Sequence, residues 1–145
     1  MNAETLIDDR IYVVAGSNSR WARRRKIELV ELINEPWALP PFNSPRGPLI
    51  VEAFRAKGLD PPQPSVVSFS IELNTSLLAT GHFLGILPGY MLRLSAKHLP
   101  IKILPVEIPS QPSPVMIVTL KNRTLSPLAK LFINCARDVA RSLVK

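Results

Sequence analysis

The chain is poor in the residues that build most catalytic and metal centres. It holds one cysteine, Cys135, and two histidines, His82 and His98, in 145 residues. A single thiol excludes an internal disulfide framework and makes a reducing cytoplasm the expected compartment. No His/Cys pair stands at ligand spacing, so neither a metal site nor a cofactor is expected. Glycine numbers only 6, and the phosphate-cradling patterns G-x-x-x-x-G-K-[ST] and G-x-G-x-x-G are both absent. There is no G-x-S-x-G nucleophile elbow. Asp8 and Asp9 are adjacent, which in an extended chain turns them to opposite faces and spoils them as a proton-sharing pair. Together these gaps argue against an enzyme.

Long apolar runs are missing too. The longest, Ser76 to Leu94, is interrupted by Thr80, His82, Pro88 and Arg93. Gly81, Gly85 and Gly89 make a doubled G-x-x-x-G, but Pro88 would break a spanning helix, so no membrane contact is expected. Met1-Asn2-Ala3-Glu4-Thr5 lacks the basic start and apolar core of a signal peptide. Without a secretory signal, the sequons at Asn74 and Asn122 carry no weight.

What is abundant is proline, 15 residues, roughly twice the ordinary ~5% share. The prolines are scattered and read as punctuation between elements. Apolar residues make up 46% of the chain, enough for one domain with a real core. The formal charge is +7, with a run at Arg20, Arg23, Arg24, Arg25 and Lys26. Such a run can meet nucleic acid or anionic lipid. Its lack of helical spacing favours a solvated loop.

Ile11-Tyr12-Val13-Val14 predicts a strand near 10–15, and Ile27 to Ile33 a short helix near 28–34 closed before Pro36. Trp37-Ala38-Leu39 reads as a brief buried strand. Ser44-Pro45 opens a helix, with serine as N-cap and proline at the first helical position, and Gly58 closes it. Further strands fall at Val66–Phe69, Phe83–Leu87, Ile101–Ile108 and Val115–Leu120, with a helix from Ile71 to Thr80 and a helical turn at Gly89–Leu94. Ser126-Pro127 repeats the helix-start signature. After it Leu128, Leu131, Phe132, Cys135, Val139 and Leu143 form one apolar stripe, which predicts a buried stripe with Cys135 inert in the core. Strands alternating with helices predict an α/β fold with a largely parallel sheet flanked by helices.

In such sheets small ligands lie outside the carboxyl ends of the strands, near helix starts whose free N–H groups favour an anion. Two loops fit. One is Phe42-Asn43-Ser44, leading into Arg46; the other is Ser68-Phe69-Ser70. These residues are either a ligand corner for a small anion such as a carboxylate, or Ser44 and Ser70 simply cap helices.

The ordered set Asp9–Gly16, Ala22–Arg25, Glu35-Pro36-Trp37-Ala38-Leu39-Pro40-Pro41, Leu77–Gly81 running to Pro88, and Ile117–Pro127 resembles the effector-binding domain of LysR-type transcriptional regulators over nearly the whole chain. Phe83 departs from it, standing where the family usually has glycine. The resemblance implies a periplasmic-binding-protein-like fold of two subdomains joined by crossing strands, with an inducer between them. On that template residues 12–110 are the second subdomain, 1–11 a crossing strand, and 111–145 a crossing strand with a helix returned to an incomplete first subdomain. The family's inducer contacts fall on Phe42–Ser44 and around Ser68–Ser70.

Family members are longer and begin with a winged helix-turn-helix, whereas the matched region starts almost at Met1. The expectation is therefore a truncated sensing module without sequence-specific DNA binding of its own. The stripe of its last helix would be covered by intramolecular docking, by a homodimer partner or by a full-length regulator. The alternative is an interaction protein that pairs with an intact regulator and modulates its assembly; a gene fragment without function is a further option.

Overall fold

The β-branched run from Ile11 becomes the centre of the molecule's largest sheet. The computed structural model describes residues 1–94 and 97–144 and divides into two compact units, Met1–Arg10 with Pro112–Lys145, and Ile11–Gln111. Lys145, the end of the expected closing segment, lies outside the described residues.

In the larger unit, β2 (Ile11–Gly16) lies between β5 (Leu84–Pro88) and β6 (Ile101–Ile103), while β3 (Ala38–Leu39) pairs with β4 (Val66–Val67). A single parallel bridge from Trp37 to Leu84 sets the β3–β4 pair beside β5. Strand alternation splits the core in two. Ile11, Val13, Ala15, Leu84 and Ile86 face one side, where Trp21, Leu32, Trp37 and the buried Ile50, Ala53 and Phe54 of α1 (Gly47–Arg55) fill the space. Trp37 and Phe54 meet edge to face, centroids 5.8 Å apart. Val14 and Leu87 face the other side, against Leu78 of α2 (Ile71–Ala79) and Met91 of α3 (Gly89–Leu94).

The α/β class holds, but the largely parallel sheet does not. The pairs β2–β5, β2–β6 and β1–β7 are antiparallel, and among the named strands only β3–β4 is parallel. Alternating elements imply parallel order only where a helix carries the chain back to the adjoining strand. After β2 the chain instead passes through two short 3-10 helices, Arg20–Arg23 and Leu29–Leu32, and the partners of β2 come from much later in sequence.

The basic run is not wholly a solvated loop: Arg20–Arg23 form the first 3-10 helix, with Trp21 and Ala22 buried, and acids stitch the charges of the run. Arg24 pairs with Glu31 at 2.9 Å, Lys26 with Glu28 at 3.7 Å, and Arg20 with Glu35. Glu31 Oε2 also accepts the Glu28 N–H at 2.8 Å. That bond, seconded by Arg24, holds the Glu31 carboxyl below its ordinary value.

In the smaller unit, β1 (Asn2–Asp9) pairs with β7 (Ser113–Thr119) in register from Asn2–Thr119 to Asp9–Ser113, with an irregularity between Thr5 and Ile7. The last helix, α4 (Pro127–Val144), starts where Ser126-Pro127 places it, with Ser126 Oγ accepting the Ala129 N–H at 3.1 Å. Its buried side is Ile133, Ala140 and Leu143. Most of the predicted stripe is exposed instead: Leu128 at 77%, Leu131 at 59%, Phe132 at 70% and Val139 at 47%. Cys135 is exposed as well, not in the core. The Ile133–Ala140 side meets β1, and beside it Arg137 Nη2 and Nε lie 2.8 Å and 2.9 Å from the two carboxylate oxygens of Glu4. A two-stranded sheet is too narrow to cover the adjoining stripe as well.

Candidate functional site

The carboxyl ends of β3 and β4 bring the two predicted loops side by side. The strands run parallel, with Ala38 opposite Val66 and Leu39 opposite Val67, so Phe42–Ser44 and Ser68–Ser70 leave the same end of the sheet. Ser68 is tied directly across, its N–H donating to Leu39 O at 3.0 Å.

The first loop does not end as the sequence predicts. Ser44-Pro45 is not the helix start; α1 begins at Gly47, with Arg46 as N-cap and no side-chain capping bond. The chain makes two tight turns first, Ser44 N–H to Pro41 O at 3.0 Å and Gly47 N–H to Ser44 O at 3.1 Å. These turns press residue 47 against the preceding loop, where an added Cβ would sit 1.9 Å from Phe42 O, so only glycine fits. Ser44 is thereby freed from capping. Its residue is 6% exposed, and its Oγ is a buried hydroxyl with no partner among the described residues. Phe42 packs its half-buried ring against the main core, and Asn43 is exposed. Arg46 is half-buried and reaches α3, its Nη1 3.7 Å from Met91 Sδ.

The second loop follows the capping alternative. Ser70 Oγ accepts the Leu73 N–H at 3.1 Å as N-cap of α2, and Ser68 Oγ accepts the Ser70 N–H at 2.9 Å. Phe69 points into solvent, 65% exposed. Of the seven predicted residues, Ser44 alone offers a buried polar group with no partner among the described residues.

Sequence reasoning missed Asn74, which it treated only as a sequon. Asn74 is 4% exposed. Its Nδ2 donates to Ser68 O at 2.9 Å and holds the second loop in place, while its Oδ1 has no partner among the described residues. The available signal was spacing: Asn74 sits four residues before the buried Leu78, on the inward face of α2.

This scaffold is one already known. The family model of the LysR substrate binding domain matches residues 1–141, and the chain belongs to that family, one of regulator ligand-binding domains and not of enzymes. The solved regulatory domain of CcmR from Synechocystis PCC6803, in complex with 2-PG, is similar at 17% identity and TM-score 0.76, covering 97% of this chain and 67% of that one. The effector binding domain of QuiR in complex with shikimate is similar at 20% identity and TM-score 0.72, with 97% and 66% covered. Full-length CbnR, solved with its target DNA, is similar at 14% identity and TM-score 0.67, covering 96% of this chain but 46% of that one. The chain therefore spans about two thirds of the solved effector domains and under half of the full-length regulator. A comparison with curated proteins gave no match. No described helix is long and apolar enough to cross a membrane.

Proposed function

We propose that this chain is a small-molecule-sensing module of a LysR-type regulator and that its inducer is a small anion, a carboxylate. The ligand corner is Phe42, Asn43, Ser44 and Arg46, with Ser68, Phe69 and Ser70 beside it. One observation carries this reading: the Ser44 hydroxyl, enclosed at the carboxyl ends of β3 and β4 without a partner among the described residues. Leaving a buried hydroxyl unpaired costs roughly 1–3 kcal/mol, which an arriving acceptor would offset. Arg46, on the same loop, spends its guanidinium on a weak contact to a thioether sulfur, which an anion can displace. The solved neighbours with 2-PG and with shikimate are precedents for capturing small ligands on this fold.

Thermal melting with a panel of aliphatic and aromatic carboxylates tests the reading. At least one is expected to raise the Tm of the natural sequence and to lose most of that effect in Ser44→Ala and in Arg46→Gln. A folded protein whose melt no carboxylate moves would sink it.

A further inference from the structure

A cleft of about 350 Å³ opens at the opposite end of β3 from the Ser44 corner. The corner at Ser44 lies past the ends of β3 and β4. This cleft lies where β2 ends at Gly16 and where β3 and β5 begin, between the turn after β2, the turn before β3 and the turn joining α2 to β5. We propose that it binds a small zwitterion, the ammonium–carboxylate pair of an α-amino acid.

Its framework is rigid and already formed. Gly81 has φ +83°, and an added Cβ would sit 2.3 Å from Asn18 Oδ1. At Gly16 the same addition would meet Leu78 O at 2.4 Å and Gly81 Cα at 2.8 Å, so two of the three turns touch backbone to backbone. Asn18 Nδ2 bonds Thr80 O at 3.3 Å across the same junction. A cleft built this way keeps its shape when empty, as small-molecule sites do.

Its chemistry selects by charge. Trp21 lines the cleft and is 8% exposed, yet its indole Nε1–H has no partner among the described residues. Arg20, with its guanidinium 5.0 Å from the Trp21 ring centroid, pairs there with Glu35. Arg20 is 76% exposed along its side chain, whereas Glu35 at 20% is held in the wall. A simple anion entering here faces the Glu35 carboxylate, and a simple cation faces Arg20. A neutral guest gains from neither. A zwitterion replaces the ion pair with two: its carboxylate takes Arg20 and the indole N–H, and its ammonium takes Glu35. The recognition is of the backbone charges, so the smallest chiral amino acid must bind.

The two tryptophans make the test direct. Trp37 Nε1 already donates to Leu32 O at 2.9 Å and serves as an internal control. In ¹H–¹⁵N spectra, Trp21→Phe identifies the Trp21 indole signal by its loss. Titration with L-alanine to about 10 mM, the range of weak millimolar sites, is expected to shift that signal saturably and leave Trp37 in place. Acetate and alaninamide, each with one of the two charges, are expected to leave it unmoved. Glu35→Gln should weaken the L-alanine response about tenfold or more, and Ser44→Ala should leave it intact, so this site and the inducer corner fail or stand separately. No shift with L-alanine overturns the proposal, as does an equal shift with acetate or a matching shift of Trp37.

Discussion

A buried hydroxyl with no partner among the described residues and a capping hydroxyl respond differently to deletion, as Ser44 and Ser70 illustrate. Ser70→Ala removes an acceptor from the Leu73 N–H and is expected to cost about 1 kcal/mol in urea denaturation. Ser44→Ala removes a buried hydroxyl that bonds nothing described and with it the desolvation penalty, so the variant is expected to be no less stable than the natural sequence while carboxylate binding falls. Glu31 gives a pH signature at the same scale. Folding lowers its proton affinity, so it adds stability above the ordinary value of 4.5, and that stability is lost as the pH falls through the depressed folded value. Stability curves for the natural sequence and Glu31→Gln are accordingly expected to differ at neutral pH and to merge in acid. Curves that stay parallel into acid would contradict this.

Among the elements, α4 separates what periodicity reveals from what it hides. Its extent was legible, because Ser126-Pro127 marks the start and the apolar spacing runs unbroken to Leu143. Which side of a wide apolar arc turns inward was not. That choice depends on which surface the fold brings to the helix, here β1 with Glu4 within reach of Arg137, at a sequence distance that no local window contains. The consequence is measurable. Ile133→Ala should destabilise by about 2–5 kcal/mol, and Leu131→Ala by no more than about 0.5 kcal/mol, in equilibrium unfolding. The α1 start was misplaced for a related reason. Ser44-Pro45 has the chemistry of a helix start, but the turns that seat Gly47 against Phe42 delay the helix by a few residues. Ser70, with no such constraint, caps α2 as its sequence indicates.

For the whole molecule, strand positions were readable and strand directions were not. Short apolar runs such as Ile11–Ala15 and Leu84–Leu87 look alike whichever way their neighbours point, because direction is set by the route between strands. The two loops of the proposed inducer corner stand out in the sequence because they follow strands and precede helices; that Ser44 has no partner among the described residues depends on backbone turns that composition does not encode. The central position of β2 also predicts how the chain opens. The amides of β2, a strand paired on both edges and sealed by two cores, should exchange last in native-state hydrogen exchange. Those of β1 and β7, in a sheet of only two strands, should exchange far sooner.

Gly47 has an implication for how the proposed ligand corner diversifies. With Phe42 O occupying the space a methyl group would need, the path of the chain around this corner is locked, and neither a bulkier residue nor a shifted turn is tolerated. New ligand preferences must come from exchanging the side chains at 42, 43 and 44 on an unchanging frame, so libraries randomised there should stay folded where insertions beside residue 47 collapse.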